Sequence, residues 1–145
     1  MEKLNNISLK LEKSDFQSVK ISNSMDSYNC MKQFYFDDIE LYESFFLLIL
    51  NTANQTTGYV KISQGGTSGT VVDPKIIAKY AIDSLATSVV IAHNHPSGNL
   101  KTSNTDIAMT KKIQAGLLLF DIKLLDHLII TSTGFFSMAD EGGIL

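Results

Sequence analysis

The pattern of hydrophobic segments predicts an α/β domain, a mixed sheet with helices on its faces. Three observations carry this. Residues 45–50, Phe-Phe-Leu-Leu-Ile-Leu, form a continuous apolar run, and residues 88–92 read as a second buried strand; strands covered on both faces have this composition. Helical spacing of apolar residues begins at Asp73 and again at Ser103. A turn-rich stretch at 51–57 joins the first run to residues 58–63, which read as the returning strand of a hairpin.

The remaining elements follow in order. Residues 7–11 alternate apolar and polar, and 16–21 do so less cleanly; both predict short strands. Ser22, Asn23 and Ser24 offer caps for a helix running to about Asp38. The glycine-rich stretch 64–70 lacks the Gly-Lys-Ser or Gly-Lys-Thr ending of a phosphate cradle and predicts a loop near the site. Asp73-Pro74 opens a helix, with Asp73 as cap and Pro74 at the first helical position. Ile76, Ile77, Tyr80, Ala81 and Leu85 should then face the core. Ser103 to about Phe120 predicts a third helix, 122–131 a strand and 135–137 a short last one.

Composition bounds the function. A chain of 145 residues suits one domain with a real core. Its net charge of -3 gives no electrostatic footprint for nucleic acid. Lys111-Lys112, the one adjacent basic pair, reads as a solvated helix face. The single cysteine, Cys30, excludes an internal disulfide and a four-cysteine zinc cage, and fits a reducing, cytoplasmic setting. It has no histidine nearby and reads as incidental. The sequence has no apolar run of membrane-spanning length and no apolar signal segment at its start.

Chemistry is concentrated in His93-Asn94-His95-Pro96-Ser97-Gly98, followed by Ser103 and Asp106. Residues two apart on a strand point to one face, with Cα atoms about 6.6 Å apart at roughly 3.3 Å per residue. His93 and His95 can therefore reach one ion while Asn94 points away. Pro96 ends the strand and Ser97-Gly98 supplies a turn that can return Ser103 and Asp106 over the imidazoles. Two neutral imidazoles and one carboxylate leave a fourth tetrahedral position for water, the composition of a catalytic zinc site. Zinc brings the pKa of its water to about 7, and a carboxylate base is still needed to carry the proton. Ser103-x-x-Asp106 also has the form of a capping box. The two readings are compatible, because a capping serine accepts through its oxygen and keeps its own proton.

The pattern His93-x-His95, seven residues, Ser103, two residues, Asp106 resembles the JAMM signature of MPN-plus metallopeptidases. The longer string His-Asn-His-Pro-Ser-Gly-Asn, with Leu125-Asp126-His127 downstream, is similar to the bacterial RadC family in particular. The resemblance spans residue 23 to the C-terminus. It implies an N-terminal extension at 1–22 and an MPN/JAB domain at 23–145, with the mixed sheet of the cytidine-deaminase-like architecture. It implies Zn2+ on His93, His95 and Asp106, with Glu43 as general base and acid and Ser103 stabilising the oxyanion. Glu43 takes the family's glutamate position because it immediately precedes the apolar run 44–50. The implied activity is hydrolysis of a peptide or isopeptide amide in a protein or peptide substrate.

Longer RadC-like proteins carry a helix-hairpin-helix region, a module associated with DNA binding, for which the first 22 residues leave no room. A DNA-repair accessory role is accordingly poorly supported. The other competing class is an MPN scaffold that binds zinc without catalysis. HNH nucleases spread their named residues over a motif, zinc deaminases need Cys-x-x-Cys, and amidohydrolase barrels need about 250 residues. His127 reads as a hydrogen-bonded core histidine, with Asp126 on the opposite strand face. Phe45, Phe46, Phe135 and Phe136 read as core or half-buried strand positions rather than a base-stacking platform.

Overall fold

A computed structural model describes residues 1–66, 69–141 and 143–145. Among these residues five strands form one mixed sheet, in the order β2-β1-β3-β4-β5. They are β1 (Ser44–Leu50), β2 (Thr56–Gln64), β3 (Ser88–Asn94), β4 (Lys123–Ile130) and β5 (Phe135–Ser137). The helices are α1 (Ser24–Met31), α2 (Pro74–Asp83) and α3 (Asn104–Leu118). Only β3 and β4 pair in parallel, and α3 makes the crossover between them. The β1–β2, β1–β3 and β4–β5 pairs are antiparallel.

The α/β expectation holds, and so does burial on both faces of the central strands: every residue of β1 and of β3 is buried. Alternate residues divide between two cores. Phe46, Leu48, Leu50, Val90 and Ala92 pack with Met31, Phe34 and Tyr35 on one side. Phe45, Leu47, Ile49, Val89 and Ile91 pack with Ile77, Ala81, Ile113 and Leu117 on the other. Each such aliphatic or aromatic side chain contributes roughly 1.5–3 kcal/mol on burial. Continuing this alternation along β3 puts His93 on the α2/α3 side and Asn94 on the α1 side.

One irregularity matters for the site. Val89 pairs with Leu124, but Val90 pairs with Asp126, so Leu125 is an extra residue in β4. A bulge reverses the facing of everything after it. Leu124 and His127, three residues apart, thereby share the α2/α3 face.

Several local expectations need correction. Residues 7–11 form no strand, and segment 16–21 contributes only a bridge between Lys20 and Gln55. With no neighbour to bury their apolar positions, Ile7, Leu9 and Leu11 stay exposed. The first helix does not reach Asp38: after Met31 it tightens to a 3-10 turn at Lys32–Tyr35, and Phe36 breaks it at φ 48°. Leu85 does not face the core. It lies beyond α2 with φ 52° and is 88% exposed, while Ala86 N–H closes back onto the Ala81 carbonyl. That is a left-handed C-terminal cap, a place usually given to glycine.

Other readings stand. Asp73 caps α2 by accepting the Lys75 N–H, with Pro74 at its first position. Ile77 and Ala81 are buried, and Ile76 and Tyr80 partly so. Lys111 and Lys112 are exposed, Phe45 and Phe46 are buried and Phe135 and Phe136 are half-buried. Cys30 is a buried free thiol, and burial pushes its pKa up, away from reactivity. Among the described residues no helix is long and apolar enough to cross a membrane.

Candidate metal centre

His93 arrives at the C-terminal end of β3, the usual place for a ligand site in an open α/β sheet. The chain leaves the strand after Asn94, with the His95 N–H still donating to the Ile130 carbonyl of β4. Gly98 N–H then donates to the His95 carbonyl, and Gly98 takes φ 84°, so the turn at Pro96-Ser97 closes as anticipated. The returning segment reaches Ser103, which caps α3. Ser103 Oγ accepts the Asp106 N–H at 3.0 Å, and the Asp106 carboxylate accepts the Ser103 N–H at 3.4 Å. The capping box is therefore real, and it holds Asp106 in the first turn, where the helix dipole favours a carboxylate.

His93, His95 and Asp106 converge: one potential ligand atom from each lies within 4.8 Å of the others. His93 Nε2 is 3.1 Å from His95 Nε2 and 3.7 Å from Asp106 Oδ2. Ligand atoms placed tetrahedrally about zinc at about 2.0–2.1 Å stand about 3.3 Å apart. The observed spacings bracket that value.

Protonation also suits a cation. His93 is 3% exposed, and burial lowers its pKa to about 4; Asp106 opposes this shift and His95 adds to it. The ring is neutral at neutral pH, so its approach to Asp106 is not an ion pair. His95 Nδ1 lies 2.6 Å from the Asn99 carbonyl. A carbonyl only accepts, so Nδ1 of neutral His95 carries the proton and Nε2 is left as a bare lone pair facing His93. The residues present fit a divalent ion that binds imidazole nitrogen and carboxylate oxygen.

Glu43 lies just before β1 and is half-buried. Burial raises its pKa; His95 opposes the rise, Asp106 adds to it, and a hydrogen bond from the Thr70 N–H also opposes it. Those electrostatic neighbours are the residues of the cluster itself. Its backbone is held by the glycine stretch: Gly65 N–H donates to the Glu43 carbonyl at 2.9 Å and Glu43 N–H to Gly66 at 3.3 Å. Gly65 is required there, because a Cβ would stand 1.6 Å from the Gly69 carbonyl oxygen. The loop expected at 64–70 thus lies beside Glu43 over its described residues; Thr67 and Ser68 fall outside them. Ser103 is exposed.

Two supporting residues were not assigned such a role from the sequence. Asn94, fully buried between the two histidines, accepts the Ser44 N–H at 2.7 Å and donates to the carbonyls of Ile39 and Tyr42 at 2.7 and 2.9 Å. It clamps the segment carrying Glu43 onto β3. Thr110, on α3, lies 2.6 Å from His127 Nδ1, and His127 Nε2 lies 2.8 Å from His93 Nδ1. His127 is thus the hydrogen-bonded core histidine expected. Asp126 turns to the other side and accepts from Ser137, Ala139 and His127 N–H. The sequence signal for Asn94 was its place between two candidate ligands, on the opposite strand face; that for Thr110 was a hydroxyl one helical turn after Asp106.

Comparison with known proteins places these residues in a lineage. The family model described as RadC-like JAB domain matches residues 21–143. A UPF0758 protein of Flavobacterium johnsoniae is 40% identical over 124 residues, covering 85% of this chain and 53% of its own. UPF0758 proteins of Porphyromonas gingivalis and Saccharophagus degradans are 37% and 38% identical, over 84% and 83% of this chain and 53% and 55% of theirs. The chain spans about half the length of the curated relatives it matches. With the mixed sheet and the resemblance in its motifs, this match settles the lineage: the chain belongs to the RadC-like JAB domain family.

Proposed function

We propose that this domain is a zinc-dependent hydrolase of peptide or isopeptide amide bonds. The convergence of His93, His95 and Asp106 on one point carries the reading. Bound there, zinc would supply Lewis acidity, polarising a carbonyl and bringing the pKa of a water to about 7. His93 and His95 would offer neutral Nε2 atoms and Asp106 a carboxylate oxygen, which leaves the complex one net positive charge.

Glu43 takes the proton of the attacking water and returns it to the leaving amine. Its raised pKa suits both halves of that task, because a base tuned toward working pH also serves as the acid. Ser103 donates its hydroxyl proton to the oxygen that gains charge; its Oγ already accepts the Asp106 N–H, so the proton is free for that use. A lone buried thiol suits a cytoplasmic setting for this reaction.

The test is kinetic. Zinc-replete protein is assayed against a panel of peptide and isopeptide substrates, alongside Glu43→Gln. The variant is expected to keep one zinc and lose turnover by a factor of about 100 or more. Undiminished turnover in the variant removes Glu43 from the mechanism, and an inert wild type favours a zinc-binding scaffold.

A further inference from the structure

From His93 a chain of hydrogen bonds runs inward, away from solvent. His93 Nδ1 meets His127 Nε2 at 2.8 Å, His127 Nδ1 meets Thr110 Oγ1 at 2.6 Å, and Thr110 Oγ1 meets the Asp106 carbonyl at 2.6 Å. His127 and Thr110 are both 0% exposed. A neutral imidazole carries one N–H, on either Nδ1 or Nε2.

With one proton per junction, two arrangements satisfy the chain. In the outward arrangement the Thr110 hydroxyl donates to the Asp106 carbonyl and accepts from His127 Nδ1–H. His127 Nε2 then accepts from His93 Nδ1–H, and His93 Nε2 is a bare lone pair beside that of His95. Two lone pairs 3.1 Å apart require a cation between them. In the inward arrangement Thr110 donates to His127 Nδ1, His127 Nε2–H donates to His93 Nδ1, and His93 Nε2–H donates to His95 Nε2. That arrangement closes the site around a hydrogen bond instead of a metal.

We propose that Thr110 and His127 form a tautomer relay that sets which nitrogen of His93 is bare, and that a metal ion arriving at His93 reverses the whole chain. This rests on the metal reading of the site. Each ring keeps one N–H and Thr110 keeps its hydroxyl proton, so the reversal relocates protons with no net release from the relay. Thr110 and His127 are positioning residues. The outward arrangement exchanges the His93–His95 bond for the Thr110 bond to the Asp106 carbonyl, which ties the relay to the helix turn presenting the third candidate ligand. Partners of this kind, behind a metal-binding histidine, typically govern affinity by 10–100-fold.

The experiment is long-range 1H–15N correlation NMR on wild-type protein, zinc-loaded and after EDTA. His93 and His127 should carry their protons on Nδ1 with zinc and on Nε2 without it. Thr110→Val, similar in shape but without a hydroxyl, should bind zinc roughly 10–100-fold more weakly, and Thr110→Ser should restore affinity. A zinc-bound wild type whose His127 tautomer matches the metal-free form overturns the relay and leaves the metal site standing. So does Thr110→Val with wild-type affinity. A wild type that takes up no zinc overturns the metal reading and the relay together. Should Thr110→Val fail to fold, the wild-type tautomers decide the question.

Discussion

The Asn94 amide oxygen accepts the backbone N–H of Ser44 at 2.7 Å, joining positions 50 residues apart in the chain. Ser44 follows Glu43, and Asn94 sits between His93 and His95. One side chain thus fixes the distance between the carboxylate segment and the imidazole segment, from the face of β3 opposite the candidate metal ligands.

Removing that amide should damage the fold without touching the ligands. Asn94→Ala orphans the Ser44 N–H and the carbonyls of Ile39 and Tyr42. Each unpaired buried group costs about 1–3 kcal/mol, less where water can enter, so a loss of about 3 kcal/mol is expected in urea unfolding. Zinc content should stay unchanged. A variant of wild-type stability would show that Asn94 does not clamp the segment.

Much of this was legible beforehand because it is local chemistry. His93 and His95 share a face by strand periodicity, and Ser103 caps the helix that carries Asp106; both follow from spacing alone. The two apolar runs became central strands because an all-buried strand has no polar face to advertise. What stayed hidden depends on long-range pairing. Asn94 finds its partners around residues 39–44, and the bulge at Leu125 that turns His127 toward His93 arises from register with β3. Alternation at 7–11 misled for the same reason, since a strand pattern without a partner strand remains exposed chain.

Asp106 caps α3 and, in the proposed site, completes the ligand set; one substitution separates the two. Asn keeps a side-chain oxygen that can accept the Ser103 N–H, so Asp106→Asn should preserve the capping of α3. It loses the charge that completes the ligand set. Metal-free stability is expected within about 1 kcal/mol of wild type, while zinc affinity falls by at least about tenfold, the cost of some 1.4 kcal/mol. Retained affinity on titration would remove Asp106 from the ligand set.

Acid should destabilise the metal-free protein before its carboxylates titrate. Burial lowers the pKa of His93 from 6.5 to about 4 and that of His127 well below 6.5. Below pH 6.5 the unfolded chain binds a proton on each and the folded chain does not. The folded state therefore loses stability as pH falls from 6.5 toward 4, by up to about 1.4 kcal/mol per pH unit for each histidine. Glu43 and Asp126, with raised pKa values, act in the opposite direction lower in the range. Urea unfolding in EDTA should show a loss of about 2 kcal/mol between pH 7 and pH 5.5. Equal stability at the two pH values would mean that the rings are protonated in the folded state.

Zinc stoichiometry tests the convergence of the three ligands most directly. Protein purified with zinc supplied and dialysed free of excess metal should contain one equivalent by elemental analysis, and His93→Ala, handled identically and shown to be folded, should contain none. A wild type without zinc, or a His93→Ala protein that keeps its full equivalent, would contradict the account.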